Sequence, residues 1–114
     1  MSSVPDFATH LRALDDGYWI AYDNFGMGHL ANAWYRPVTD EQRAEWLLDV
    51  FRRGYGDRVL VSHDVWCKVQ LRHFGGGGYA HILRTIVPKL REGGLSEGEV
   101  RQLLVVNPAE VLAF

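Results

Sequence analysis

The sequence has one cysteine, no long apolar run and no excess of basic residues. Cys67 has no partner for an internal disulfide, which fits a reducing, cytoplasmic setting. No apolar run reaches the roughly 18 residues of a membrane helix, and no secretory leader opens the chain, so we expect neither a membrane span nor export. The net charge of −2 and the pI of about 6.2 argue against a nucleic-acid partner.

The length and composition of the chain indicate one small domain. The chain has 114 residues, of which 47% are hydrophobic and 23% charged, as is ordinary for a folded globular protein. At this size a protein buries only about two-thirds of its unfolded surface. We therefore expect a single domain over residues 1–114 with a small core.

Two short apolar runs predict strands, at about residues 18–24 and 58–63, and each run ends in polar residues. Continuous runs too short for a helix are typical of parallel strands buried on both faces. Ligands collect at the carboxyl ends of such strands, which draws attention to Asp64. Asp also commonly caps a turn after a strand, so a purely structural role for Asp64 stays open at this point.

The segments around these strands have helical patterns. Thr39 and Gln42 have the spacing of a capping box and begin a helix that ends near Arg53. This helix connects the two strands, so we expect a parallel strand, helix and strand unit. An apolar stripe on residues 5–16 predicts a helix before the first strand.

The second half of the chain predicts further helices around a glycine run. Residues 75–78 lack the signature of a phosphate-binding loop, so we expect a hinge or a flexible loop there. A helix over residues 79–91 should be disturbed by Pro88. Ser96 and Glu99 form a second capping box, and we expect Asn107, before Pro108, to cap a final turn. The prediction is thus an α/β chain with about five helical segments.

Residues 26–37 form a long loop that carries His29 and Trp34. Loops of this length in small domains are usually functional or mobile, so we consider a substrate-facing loop or lid. The alternative is a loop whose aromatic side chains simply pack onto the body of the domain.

Two parallel strands make an incomplete sheet. Each of them would keep one unpaired edge, and parallel sheets are rarely this small. The chain is therefore expected to be part of something larger.

Several stretches of the chain carry a resemblance to one known family. They are Ser62-His-Asp with the following Lys68, Gly-Gly-Gly-Gly-Tyr-Ala-His81-Ile-Leu, Ile86-Val-Pro-Lys-Leu-Arg91, Gly94-Leu-Ser and Val106-Asn-Pro-Ala. In order and spacing, over nearly the whole chain, they resemble the C-terminal part of the phosphotriesterase family, within the amidohydrolase superfamily. Residues 18–26 resemble the seventh barrel strand of that family and the loop after it.

The resemblance implies a (β/α)8 TIM barrel, of which this chain would be roughly the last third, with strands seven and eight. It also implies a two-metal site, usually zinc, that hydrolyses phosphotriesters or lactones. The family's metal ligands are two His on the first strand, a carboxylated Lys on the fourth, a His on each of the fifth and sixth, and an Asp ending the eighth. Of these, this chain carries the Asp, as Asp64, and the sixth-strand His would lie just upstream of Met1.

We assign roles on this basis. Asp64 is the expected metal ligand and catalytic proton acceptor, because a bound metal lowers the pKa of water from 15.7 to about 7. The expected substrate-pocket residues are His63, Asp23, Asn24, Trp66 and His29. For each of these a role in packing or at the surface is the alternative. Asn24 stands where phosphotriesterases have a proton-relaying His and lactonase-like members often have an Arg. An Asn side chain cannot relay protons at neutral pH, so this departure leaves the choice between phosphotriester and lactone substrates open.

One aspartate does not hold a catalytic zinc, which generally has three protein ligands. The five histidines contain no pair three or four residues apart. Two hypotheses follow. The chain is either a fragment of a metal-dependent hydrolase, inactive alone and able to complement the missing barrel strands, or a non-catalytic domain that binds a partner or self-associates as a homo-oligomer through its strand edges.

Overall fold

The computed structural model describes residues 1, 3–34 and 36–113, with His29 described by its backbone only. The main elements, in chain order, are α1 (Phe7–Asp15), β1 (Ile20–Tyr22), α2 (Asp40–Arg52), β2 (Val59–Val61), α3 (Val87–Glu92), α4 (Glu97–Arg101) and α5 (Asn107–Leu112).

The two strands form a parallel pair, which confirms the prediction for this unit. Ile20 pairs with Val59, and Tyr22 pairs with Val61. Both strands are shorter than the predicted 18–24 and 58–63. Pairing nevertheless continues past their ends, because the Ser62 N–H donates to the Tyr22 carbonyl at 3.0 Å. The carboxyl ends of β1 and β2 are therefore held side by side.

The core lies on one face of this sheet. Ile20, Tyr22 and Val59 are buried there, whereas Ala21 and Leu60 are only partly covered. Side chains alternate between the two faces of a strand, so one face packs against helices and the other stays half-open. The helices contribute the remaining buried side chains, which include Leu14, Leu47, Val50, Ile86, Leu90 and Leu103.

Helix starts follow the predicted caps, with one difference. Ser96 and Glu99 form a complete capping box, in which the Ser96 Oγ accepts from the Glu99 N–H and the Ser96 N–H donates to the Glu99 carboxylate. Thr39 caps α2 by accepting from the Gln42 N–H. The Gln42 side chain, however, donates to Glu45 rather than back to the cap.

Both prolines near the C-terminus follow a widened helical turn. The π-helical turns Ile82–Ile86 and Gln102–Val106 run directly into α3 and α5. In each, an N–H bonds a carbonyl five residues back, Val87 to Ile82 and Asn107 to Gln102. Proline lacks an N–H and its ring clashes with the carbonyl four residues earlier, and a wider turn relieves this conflict. The predicted disturbance at Pro88 is confirmed.

Asn107 does not cap a new turn, and this prediction was wrong. It lies inside a continuous helical run and is fully buried. Its Nδ2 donates to the carbonyls of Gly56, at 2.8 Å, and Val59, at 2.7 Å, while its Oδ1 accepts from Gln102. The side chain thus ties the C-terminal helices to the start of β2.

His10 is a second buried polar side chain whose hydrogen bonds link separate segments. Its Nε2 lies 2.8 Å from the Val4 carbonyl and its Nδ1 lies 2.9 Å from the Tyr22 hydroxyl. A carbonyl only accepts, so Nε2 carries the proton and Nδ1 accepts from Tyr22, which is the neutral imidazole. Burial lowers the pKa of His10 and raises that of Tyr22, because both charged forms lose water.

Within the described ranges, no helix combines the length and the apolar character required to cross a bilayer.

We predict that Asn107→Ala lowers the free energy of unfolding by about 2–6 kcal/mol. The reason is that two buried carbonyls lose their donor, at about 1–3 kcal/mol each. Urea denaturation followed by circular dichroism measures the loss. Gln42→Ala, an exposed change on α2, is the control and should cost less than about 0.5 kcal/mol. An Asn107→Ala chain as stable as the wild type would contradict the role given to this side chain.

We also predict that stability falls as the pH is lowered through 6.5, the ordinary pKa of histidine. His10 resists protonation in the folded chain, so the unfolded chain binds the proton first and is favoured as pH falls. His63, whose pKa burial also lowers, adds in the same direction. Denaturation curves from about pH 7.5 to about pH 5 should show this slope, and it should flatten in His10→Gln. His73→Gln, at an exposed histidine, is the matched control, and equal slopes in the two variants would refute the assignment to His10.

Candidate functional site

The carboxyl ends of β1 and β2 bring two polar side chains into contact. Asn24 follows β1 and Asp64 follows β2, 40 residues later in the chain. The Asn24 Nδ2 donates to the Asp64 Oδ2 at 3.3 Å. This contact exists because the two strands are parallel and in register, so that their ends meet at one edge.

Asp64 has an unusual backbone. Its φ of 53° is the one positive value among the non-glycine residues that the structure describes. This left-handed region costs a typical L-residue about 1–2 kcal/mol, and aspartate enters it more readily than most. The side chain is exposed, so its carboxylate is accessible to a cation or a proton.

His63 lies beside Asp64 but is partly committed to the fold. Its Nε2 accepts from the Ile82 N–H at 3.1 Å, at the start of the helical run that leads into α3. Burial lowers the pKa of His63, and the charge of nearby His81 lowers it further while Asp40 opposes the change. The Ile82 N–H occupies the lone pair of Nε2, so in the neutral ring Nδ1 carries the proton and is the nitrogen left to donate to a ligand.

Of the other expected pocket residues, the structure describes the side chains of Asp23 and Trp66. Asp23 and Trp66 are exposed, and 69% of the Trp66 surface is accessible. The side chain of His29 lies outside what the structure describes, as does Tyr35. Trp34 is 96% exposed, so this residue of the long loop does not pack onto the body of the domain.

The Asp40 carboxylate is half-buried, with 15% of its side chain exposed, and it bonds three segments of the chain. Asp40 accepts from the Gly26 N–H, from Arg43 at 3.2 Å and from His81 Nε2 at 2.6 Å. It therefore joins the turn after β1 to α2 and to the segment that His63 caps. The contacts span 14 and 41 residues along the chain, so no local pattern could have identified them.

The glycine run has a packing role. A side chain on Gly76 would overlap the backbone carbonyl of Gln70, and one on Gly77 would lie 2.5 Å from the His81 ring. Gly78 has a φ of 71°, which favours glycine. The expected flexible loop is instead a tight turn wrapped against Gln70 and His81.

These residues alone do not complete a catalytic metal site. In the part of the chain that the structure describes, no group of three His, Cys, Asp or Glu side chains could hold a metal. Asp64 fits as a single ligand, since its carboxylate is exposed and carboxylate oxygens bind divalent cations, including zinc. The other ligands of such a site would come from outside this chain.

Comparison with known proteins places this geometry in a family. The model of the phosphotriesterase family matches residues 3–112. Among curated relatives, an N-acetyltaurine hydrolase from Tetraodon nigroviridis is 42% identical over 101 residues, which is 86% of this chain and 29% of the relative. One from Dictyostelium discoideum is 32% identical over 98% of this chain and 31% of its own length. The chain thus spans about a third of the relatives that it matches.

Solved structures lead to the same family as the sequence comparisons. A resiniferatoxin-binding protein from Rhodobacter sphaeroides superimposes with a TM-score of 0.83 at 31% identity, over 93% of this chain and 30% of its own. A phosphotriesterase homology protein from Escherichia coli, solved with phosphate in its active site, gives 0.81 at 30% identity, over 96% of this chain and 35% of its own. The parallel strand pair with its helices is therefore a portion of the TIM barrel of these proteins, and the chain belongs to the phosphotriesterase family.

Proposed function

We propose that this chain supplies the C-terminal third of a metal-dependent hydrolase and that Asp64 is its metal ligand and catalytic proton acceptor. The observation that carries the proposal is the exposed Asp64 carboxylate at the end of β2, in contact with Asn24 from the end of β1. In a barrel of this family, that edge is where the chemistry gathers.

The chemistry divides between the metal and the chain. A divalent metal, zinc or another and paired in the complete barrel, would lower the pKa of a water to about 7 and polarise the bond to be cleaved. Asp64 would hold the metal through one carboxylate oxygen and accept a proton. The Asn24 amide, which donates to Oδ2, would orient the carboxylate without relaying protons.

The neighbouring side chains would form the pocket. They are His63, Asp23, Trp66 and His29, all on segments that follow β1 or β2 in the chain. The proposed substrates are small esters, lactones or phosphotriesters. The N-acetyltaurine hydrolases among the relatives add an N-acetyl amide to the classes worth testing. A reduced lone Cys67 supports a cytoplasmic location.

The chain is proposed to be inactive by itself. It carries one of the expected ligands, and the face of the sheet that bears Ala21 and Leu60 is half-open. Other barrel strands pairing with β1 and β2 would cover that face and bring the missing ligands. A segment with these strands, on the same or another chain, is the partner that the proposal requires.

A second candidate function is a non-catalytic, self-associating domain. The observation that favours it is an apolar groove of about 240 Å³ between the sheet and α5, lined by Leu60, Val61, Pro108, Val111 and Leu112. Leu112 is 66% exposed there. A second copy that docks on the groove would bury this surface.

We predict that the isolated chain holds little zinc and gains metal and activity with a complementing fragment. The fragment to use is the N-terminal two-thirds of the Tetraodon nigroviridis relative. Asp64→Asn in the mixture should reduce hydrolysis more than about 100-fold, because a lost ligand exceeds the about 10- to 100-fold effect of outer-shell groups. Metal content by atomic absorption and turnover of an N-acetyl amide, a lactone and a phosphotriester are the readouts.

Asp57→Asn is the matched control, because Asp57 is exposed before β2, at the opposite end of the strand. This variant should behave as the wild type. Equal activity of the Asp64→Asn and Asp57→Asn mixtures would refute the role of Asp64. A discrete oligomer of the isolated chain on sizing, with no zinc and no complementation, would favour the self-associating domain.

A further inference from the structure

A side chain six residues later donates a hydrogen bond to the backbone carbonyl of Asp64. Gln70 is 3% exposed, and its Nε2 donates to the Asp64 carbonyl at 2.9 Å. This bond fixes the peptide plane that follows the Asp64 Cα. The positive φ of Asp64 therefore coincides with a buried donor aimed at its own carbonyl.

The other atoms of the Gln70 amide bind the segment that follows Asp64. Its Oε1 accepts from the N–H groups of Trp66, at 2.8 Å, and Cys67, at 3.0 Å. Its Nε2 also lies 3.4 Å from the Met27 sulfur, in the segment after β1. One buried side chain thus bonds three backbone groups of residues 64–67 and contacts the loop of the neighbouring strand.

The Gln70 backbone is held in turn by the glycine run. The Gly78 N–H donates to the Gln70 carbonyl at 2.8 Å, and Gly76 approaches it too closely for any side chain. Gln70 therefore has little freedom to follow a shift of the Asp64 loop. A fixed amide of this kind sets the position of the loop and does not merely adapt to it.

We infer that Gln70 is a positioning residue for the site, which fixes the direction of the Asp64 carboxylate through its hydrogen bond to the Asp64 carbonyl. The inference rests on the proposed role of Asp64 and adds a residue that does not itself touch metal or substrate. Removing the donor should release Asp64 toward ordinary backbone conformations and break its contact with Asn24. The alternative is that Gln70 only anchors the loop in general. Its removal would then loosen residues 64–78 as a whole, without a specific effect on Asp64.

Two variants of the full 114-residue chain separate these possibilities. Gln70→Glu keeps the shape and the acceptor for Trp66 and Cys67 but replaces the Nε2 donor with an oxygen. Gln70→Met keeps the length of the side chain and removes all of its hydrogen bonds, while the backbone bonds of residue 70 remain. Gln42→Glu, at an exposed position on α2, is the matched control.

The readouts are the three-bond HN–Hα coupling of Asp64, which reports φ, the side-chain amide resonances of Asn24, and the hydrogen-exchange protection of the Trp66 and Cys67 amides. In Gln70→Glu, the Asp64 coupling and the Asn24 resonances should change while both amides stay protected. In Gln70→Met, all of them should change. The control should match the wild type throughout.

In the complemented barrel, zinc affinity of Gln70→Glu should fall by about 10- to 100-fold, the effect typical of residues that orient a ligand. Unchanged Asp64 coupling and Asn24 resonances in Gln70→Glu would overturn the inference, even if Gln70→Met fails to fold. So would fast exchange of the Trp66 and Cys67 amides in the wild type. A failure of the proposed function has a different signature. In that case activity survives Asp64→Asn, while the resonance changes in Gln70→Glu still occur.

Discussion

The parallel pairing of β1 with β2 is the constraint on which the rest of the structure depends. It aligns Ile20 with Val59 and Tyr22 with Val61, and so places the residues that follow both strands at one edge. Asn24 meets Asp64 for this reason alone, since 40 residues separate them in the chain. A shift of one residue would turn the buried face of either strand outward, so burial of Ile20, Tyr22 and Val59 also secures the geometry of the site.

Buried and half-buried polar side chains fix the positions of chain segments that apolar packing alone would leave free to shift. Apolar contact tolerates small rearrangements, whereas a buried hydrogen bond is lost when its partner shifts. His10 joins α1 to β1, Asn107 joins α5 to β2, and the half-buried Asp40 joins three segments. Gln70 does the same for the loop of Asp64. Each of the four bonds at least one backbone group, so each specifies where a segment of chain must lie.

Local patterns predicted most of the elements and failed where a partner was distant. The capping-box spacing at Thr39 identified the start of α2, and Ser96 with Glu99 identified the start of α4. Asn107 was misjudged because Asn before Pro is a frequent local cap, and its carbonyl partners are 51 and 48 residues away. The glycine run was misjudged because Gln70 and His81, which require it, give no signal in its composition.

The sequence by itself determined the α/β class, the order of the elements, the family and Asp64 as the residue of interest. The class and the order follow from periodicity and caps, and the family, with Asp64 as its metal ligand, from the resemblance of several stretches to known proteins. The tertiary structure alone decided that Asp64 is left-handed, that Asn24 touches it, that His63 is occupied by the Ile82 N–H, and that Gln70 and Asp40 support the site. The physical reason is that a hydrogen bond depends on ångström-scale distance between groups far apart in sequence, which exists only after the strands have paired and the core has closed.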